Sequence, residues 1–187
     1  MAGADSLGRL TIDDTALIVI DVQEKFQPVI HGMAGVEDAC ARLVLGCREL
    51  GAPILVTEQY PEGLGRTVPR VAEALGDFEP LTKSAFSLFR EDAISSAIVG
   101  LGRRNLLLVG VEAHVCLIQT ALDALDAGFG VHWISDAISS RAAISAEAAA
   151  RRAAQCGAFM ATAEMVLFQM LETAGHAKFR AISKIVK

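Results

Sequence analysis

Three side chains in this sequence are of the types that together cleave acyl bonds: a carboxylate, Asp21, an amine, Lys83, and a thiol, Cys116. Asp21 ends the apolar run Ala16 to Ile20, Lys83 follows Phe78 to Thr82, and Cys116 comes five residues after the run Leu106 to Val111. In an open parallel sheet the ligand crevice lies beyond the carboxyl ends of the strands, so all three are expected on one rim. A thiol attacks as thiolate, and a helix N-terminus with an ammonium nearby lowers its pKa from about 8.5. The expectation is a Cys116 nucleophile with a depressed pKa, an Asp21 that carries its proton to the leaving group, and a Lys83 that stabilises negative charge. Backbone N–H groups of the Val111 to Cys116 turn are then placed to face an oxyanion.

One at a time, these residues also have plainer readings. Asp21 fits a capping aspartate and Lys83 a solvated surface lysine. Cys40 and Cys47 fall on the apolar stripe of one helix and read as packing, and Cys156, before Gly157, reads the same way. Cys116 differs, because it follows the polar turn Glu112-Ala113-His114, where a small hydrophobe gains less. His114 is placed in a turn or rim role, Asp136 and Arg141 as residues that cap and brace a loop, and Glu112 either against the pocket or facing solvent.

The elements that must position these groups follow from hydrophobic periodicity. Ala16 to Ile20, Pro53 to Val56, Leu106 to Val111 and Val131 to Ser135 read as buried strands, with a weaker Phe159 to Thr162. Phe78 to Thr82 is short and contains Pro80, which suits a sheet edge. Val36, Cys40, Leu43, Cys47 and Leu50 recur at helical spacing and Gly51 stops them. Arg90 to Leu101, Cys116 to Ala127 and Ile144 to Cys156 supply further crossover helices, and Glu58 to Arg66 reads as a long loop. Strand and helix in alternation mean an α/β fold with a parallel sheet.

Composition narrows the function classes. The chain has 187 residues, 52% hydrophobic and 21% charged, which suits one domain, 1–187, with an aliphatic core. Its 17 basic and 22 acidic side chains give a net charge of −5, and no basic run is present to neutralise phosphates, so a nucleic-acid partner is disfavoured. Met1 to Asp14 is polar and the apolar runs are short, which excludes a signal core and a membrane span on this pattern and makes a cytoplasmic location the expectation. Four cysteines without a CxxC pair fit free thiols in a reducing compartment. Asp21-Val22-Gln23-Glu24-Lys25 holds no glycine fingerprint, against a dinucleotide-binding domain.

The stretches ALIVIDVQEKF at 16–26, VTEQYPEGLGRTVP at 56–69, LTKSAFS at 81–87 and GVEAHVCLIQTALDALDAGFGVHWISDAISSR at 110–141 cover most of the chain. On them it resembles the isochorismatase-like cysteine hydrolases, within them the isochorismatase domain-containing type 2 subgroup. The resemblance implies a three-layer α-β-α, Rossmann-like fold with a six-stranded parallel sheet in the order 3-2-1-4-5-6. It maps a catalytic triad onto Asp21, Lys83 and Cys116, and a cis peptide onto Val111–Glu112. The N–H groups of Glu112 and Cys116 map onto an oxyanion hole, and Gln23, Phe26, Tyr60 and Phe86 neighbour the motif positions as pocket candidates.

Members of the superfamily that hydrolyse nicotinamide bind a metal through an Asp-x-His motif and a further His after the second strand. Here Thr57-Glu58-Gln59-Tyr60 contains no His, so neither a metal nor another cofactor is expected, and nicotinamide is disfavoured. True isochorismatases act on a vinyl ether without a cysteine nucleophile, so Cys116 points instead to a small amide-type substrate and a thioester. The resemblance also favours a homo-oligomer. A small-molecule-binding or interaction protein that retains an unused triad is the alternative.

Overall fold

The structure, a computed structural model, describes residues 7–187; the first part of the polar segment Met1 to Asp14 lies outside the described residues. The run Thr15–Ile20 forms β1, buried at every position and apolar from Ala16 onward rather than alternating. It pairs in parallel with β2 (Ile54–Gln59) on one side and β4 (Asn105–Gly110) on the other. β3 (Leu81–Lys83), β5 (Gly130–Ile138) and β6 (Phe159–Ala161) complete a six-stranded parallel sheet in the order β3-β2-β1-β4-β5-β6. The α/β class read from the alternating pattern and the strand order that the resemblance implies are both present.

Eight α-helices connect and cover the strands among the described residues: α1 (Met33–Leu50), α2 (Pro61–Leu64), α3 (Pro69–Leu75), α4 (Asp92–Gly100), α5 (Ile118–Asp126), α6 (Ala143–Gln155), α7 (Ala163–Leu171) and α8 (Phe179–Ile185). The pleat of β1 divides the core. Leu17 and Val19 pack with α1, α3, α7 and α8, whereas Ala16, Ile18 and Ile20 pack with α4, α5 and α6. α1 buries Val36, Cys40, Leu43, Cys47 and Leu50 as its spacing predicts, and Gly51 ends it in the left-handed conformation at φ 77°. No helix among the described residues is long and apolar enough to cross a membrane.

Several boundaries differ from the sequence expectation for physical reasons. β3 begins at Leu81, not Phe78, because Pro80 has no N–H to give a ladder, and Lys83 is its last residue. β2 runs on to Gln59, so Glu58 and Gln59 lie in the strand, and the expected loop that follows contains α2, with Pro61 in its first turn. The helix expected from Cys116 starts earlier, as a π-helical turn over Ala113–Leu117 that leads into α5. Both α3 and α7 were illegible as separate elements; α7 is capped by Thr162, whose hydroxyl accepts from Met165 N–H, and by Asp136, whose Oδ1 accepts from Ala163 N–H at 2.9 Å.

One close approach governs the carboxyl edge of the sheet. Ile20 pairs with Gly110, which sits at φ 123°, and a Cβ at Gly110 would run into the Ile20 carbonyl oxygen. Only glycine fits there. Gly110→Ala should therefore destabilise the fold by about 3 kcal/mol or more, read as a fall in the urea midpoint; an unchanged midpoint would mean that β1 and β4 do not close up this tightly.

At the opposite end of the sheet His132 is buried, its ring stacked on Phe159 at 5.1 Å between centroids, and its Nε2 has no hydrogen-bond partner among the described residues. Burial lowers its pKa from 6.5 to about 4. The neutral ring thus contributes fully to stability above pH 6.5, and that contribution is lost as the pH falls toward 4. Between pH 7 and 4 the wild type should lose on the order of 2 kcal/mol more unfolding free energy than His132→Phe; parallel pH profiles would contradict this.

Candidate active site

The sheet brings the three sequence candidates together. β1 ends at Ile20, and Asp21 turns out of the sheet with φ 54°, held by its N–H to the Thr57 carbonyl at 3.1 Å. Lys83 ends the edge strand beside Gln59, its register partner. Cys116 lies in the π-helical turn that follows β4 and the cis Val111–Glu112 peptide. Lys83 Nζ is 2.7 Å from Asp21 Oδ2 and 3.5 Å from Cys116 Sγ. Thr57 Oγ1 donates to the other carboxylate oxygen, Oδ1, at 2.8 Å.

The ion pair is almost wholly out of water, with the Lys83 and Asp21 side chains 0% and 1% exposed, and Cys116 is 6% exposed. Burial raises the Asp21 pKa above the ordinary carboxylate value, opposed by the Lys83 charge. Burial, joined by the Asp21 charge, also pushes the Cys116 thiol up to about 12, and Lys83 offsets only part of this. The depressed thiol pKa expected from the sequence is therefore corrected. The ammonium is already matched by a carboxylate, and Cys116 stands four residues into the helical segment in a dry environment, so the resting sulfur is a thiol.

The ammonium has further acceptors. It donates to Gln59 Oε1 at 2.5 Å, to the Ala85 carbonyl at 3.1 Å and toward the Phe86 carbonyl at 3.5 Å. The 84–85 segment is held by Glu91, whose Oε1 accepts from Ser84 N–H at 2.9 Å and Ala85 N–H at 2.8 Å, and these bonds lower its pKa. Sequence reasoning missed Thr57 and Gln59. Their signal was two polar residues at alternate positions, hence on one face, at the end of a strand that begins Ile54-Leu55-Val56.

The pocket candidates separate. Tyr60 is 61% exposed and lines a cleft of about 280 Å³ with Glu62, Thr82, Lys83, Ser84 and Glu91. Phe86 is exposed on the segment above Lys83. Phe26 is half-buried against the core on the α1 side. Gln23 is a correction: it is fully buried, and both donors of its amide go to backbone carbonyls, those of Gln59 at 3.0 Å and Gly65 at 2.7 Å, so it braces the site from behind.

Around the turn, Glu112 neither faces solvent nor lines the cleft; its Oε2 accepts from Arg141 Nε at 2.9 Å, which ties the turn to the loop after β5. Arg141 thus braces this loop as expected, whereas Asp136 lies inside β5 and caps α7 instead of the loop. His114 has the expected turn role, with Nδ1 at 2.9 Å from Ser140 Oγ. Cys40 and Cys47 are buried in the core, but Cys156 is exposed, because the helix end that carries it faces solvent. Where the metal-binding pattern would put ligands, the Glu58 carboxylate is taken up by Thr67 N–H at 2.7 Å and Arg66 at 3.1 Å. No cluster of three or more His, Cys, Asp or Glu that could hold a metal ion occurs among the described residues.

Comparison with known proteins gives concordant matches. The isochorismatase domain family matches residues 15–165. Isochorismatase domain-containing protein 2 of Danio rerio is 40% identical, over 100% of this chain and 92% of that protein. Isochorismatase domain-containing protein 2A of Mus musculus is also 40% identical, over 100% of this chain and 89% of that protein. Among solved structures, that of the MAR1 ribonuclease from Caenorhabditis elegans superposes with a TM-score of 0.90 at 36% identity, covering 95% of this chain and 92% of that one.

A buried ion pair is most easily damaged by removing one partner. Lys83→Met should cost about 3–5 kcal/mol in unfolding free energy, and adding Asp21→Asn should recover the larger part, because no uncompensated charge then remains. A Lys83→Met protein as stable as the wild type would contradict the burial of the pair.

Proposed function

The chain belongs to the isochorismatase family, and from that premise we propose that it is a cysteine hydrolase that cleaves a small, non-peptide amide-type C–N bond, or a related bond, through a thioester on Cys116. The observation that carries this reading is one ammonium, Lys83 Nζ, within 2.7 Å of a buried carboxylate and 3.5 Å of a buried thiol. Structural packing has no need of that combination, and acyl transfer uses each part.

In the proposed cycle Cys116 Sγ forms a bond to the substrate carbonyl carbon as its proton passes to Asp21. The raised pKa of Asp21 suits it to this task, since a base is most effective when its pKa approaches working pH. The carbonyl oxygen takes the displaced electron pair and faces the N–H groups of Glu112 and Cys116. As the tetrahedral intermediate collapses, the C–N bond breaks and Asp21 returns the proton to the departing nitrogen. Water then attacks the thioester, gives a proton to Asp21, and releases the acid while the sulfur regains the proton. Lys83 holds the carboxylate in place and offsets negative charge throughout.

The small cleft meets the three groups only through Lys83, and its size supports a small-molecule substrate. The net charge of −5, and the carboxylates of Glu62 and Glu91 at the cleft, disfavour RNA, the substrate class that the description of the Caenorhabditis elegans relative names. We place the protein in the cytoplasm as a homo-oligomer; apolar side chains left on the surface, such as Ile144 at 71% exposure, are suited to cover by a second copy.

The test is a panel of small amides, ureides and a single-stranded RNA assayed with wild type and Cys116→Ala. Expected is hydrolysis of at least one amide-type member, reduced at least 10³-fold by Cys116→Ala, with an acid limb of kcat/KM above the ordinary carboxylate pKa. Turnover that survives the substitution would remove the nucleophile assignment. Ligand binding without turnover of any member would support the non-catalytic alternative, and cleavage of RNA alone would replace the substrate class.

A further inference from the structure

At the carboxyl edge β1 departs before β2 does. Asp21 has turned away at φ 54°, so Gln59, two residues beyond the last β1 partner Thr57, has no strand on that side. The side chain of Gln23 fills the gap. Its Oε1 accepts from the Gln59 N–H at 2.9 Å and its Nε2 donates to the Gln59 carbonyl at 3.0 Å. A primary amide has an acceptor and two donors, so it reproduces both ladder bonds of a missing peptide neighbour and keeps one donor, used on Gly65.

Gln59, with its backbone held in this way, reaches with its side chain to the ammonium. Its Oε1 lies 2.5 Å from Lys83 Nζ and its Nε2 donates to the Ser84 carbonyl at 2.8 Å. These two neighbours fix the orientation of the amide: a flipped group would set an NH2 against an ammonium and an oxygen against a carbonyl. A lysine head on a flexible four-carbon stem has no intrinsic direction, so its acceptors decide where it points. Among them Cys116 Sγ, at 3.5 Å, is a weak partner unable to hold the ammonium by itself.

We propose that Gln59, braced by Gln23, is a positioning residue that holds the Lys83 ammonium between Asp21 and Cys116. Gln59 touches no reacting atom and acts through Lys83 alone. Its catalytic meaning rests on the reading of Cys116 as the nucleophile, but the placement it claims is readable on the sulfur without any substrate.

The experiment is a double-mutant cycle on the rate of Cys116 alkylation by iodoacetamide, followed from pH 6 to 9 by mass spectrometry of the Cys116 peptide so that exposed Cys156 does not contribute. Gln59→Met should slow alkylation about tenfold at fixed pH in the wild-type background and less than twofold in a Lys83→Met background, because a residue that acts through Lys83 has nothing to act on there. If Lys83→Met does not fold, Asp21→Asn/Lys83→Met, which removes both buried charges, supplies the background. Equal slowing in both backgrounds, or none in either, would overturn the assignment. A protein that hydrolyses no amide yet shows the non-additive cycle keeps Gln59 as a positioning residue and loses the hydrolase reading; an active hydrolase with an additive cycle loses only the role of Gln59.

Discussion

A buried carboxylate and a buried ammonium that face each other at 2.7 Å are the constraint around which the rest of this structure is arranged. Neither charge is tolerable alone in the interior, and the pair is tolerable only with its remaining hydrogen-bonding capacity met. Thr57 serves the carboxylate, and Gln59 and the carbonyls of the 85–86 segment serve the ammonium. Burial and the Asp21 charge outweigh the pull of Lys83 on the neighbouring sulfur, which stays protonated at rest. In the proposed cycle, thiolate character develops only as Asp21 receives the proton.

Holding the pair requires backbone in unusual places. Gly110 lets β4 close on β1, and the positive φ of Asp21 turns its carboxylate out of the sheet toward the neighbouring strand ends. Carboxylates then pin the loops that surround the pair. Glu91 holds the 84–85 segment, Glu112 pairs with Arg141, and Asp123 receives both Arg90, at 2.9 Å, and Ser87, at 2.7 Å. These are partly exposed contacts of modest individual energy; their effect is to restrict where Lys83 and the Cys116 turn can go.

Much of this was legible in the sequence because it rests on local rules. Strands buried on both faces read as continuous apolar runs, α1 showed its stripe and its glycine stop, and placement at strand ends selected Asp21, Lys83 and Cys116. What stayed hidden depends on contacts between distant segments. Gln23 looked like a pocket residue and is a surrogate strand neighbour, which only the early departure of β1 explains. The thiol pKa was misread in direction because position at a helix start is visible in sequence, whereas burial and a competing carboxylate are not. Glu58, expected at the start of a loop, lies in β2 with its carboxylate taken up by Thr67 and Arg66.

A neutral Cys116 thiol beside an internally balanced ion pair has its own signature, the Raman S–H stretching band of the substrate-free protein at neutral pH, taken as the difference between wild type and Cys116→Ala. A band assignable to Cys116 is expected. Its absence, with the other three cysteines still giving theirs, would show a resting thiolate paired with Lys83 and would contradict the neutral thiol.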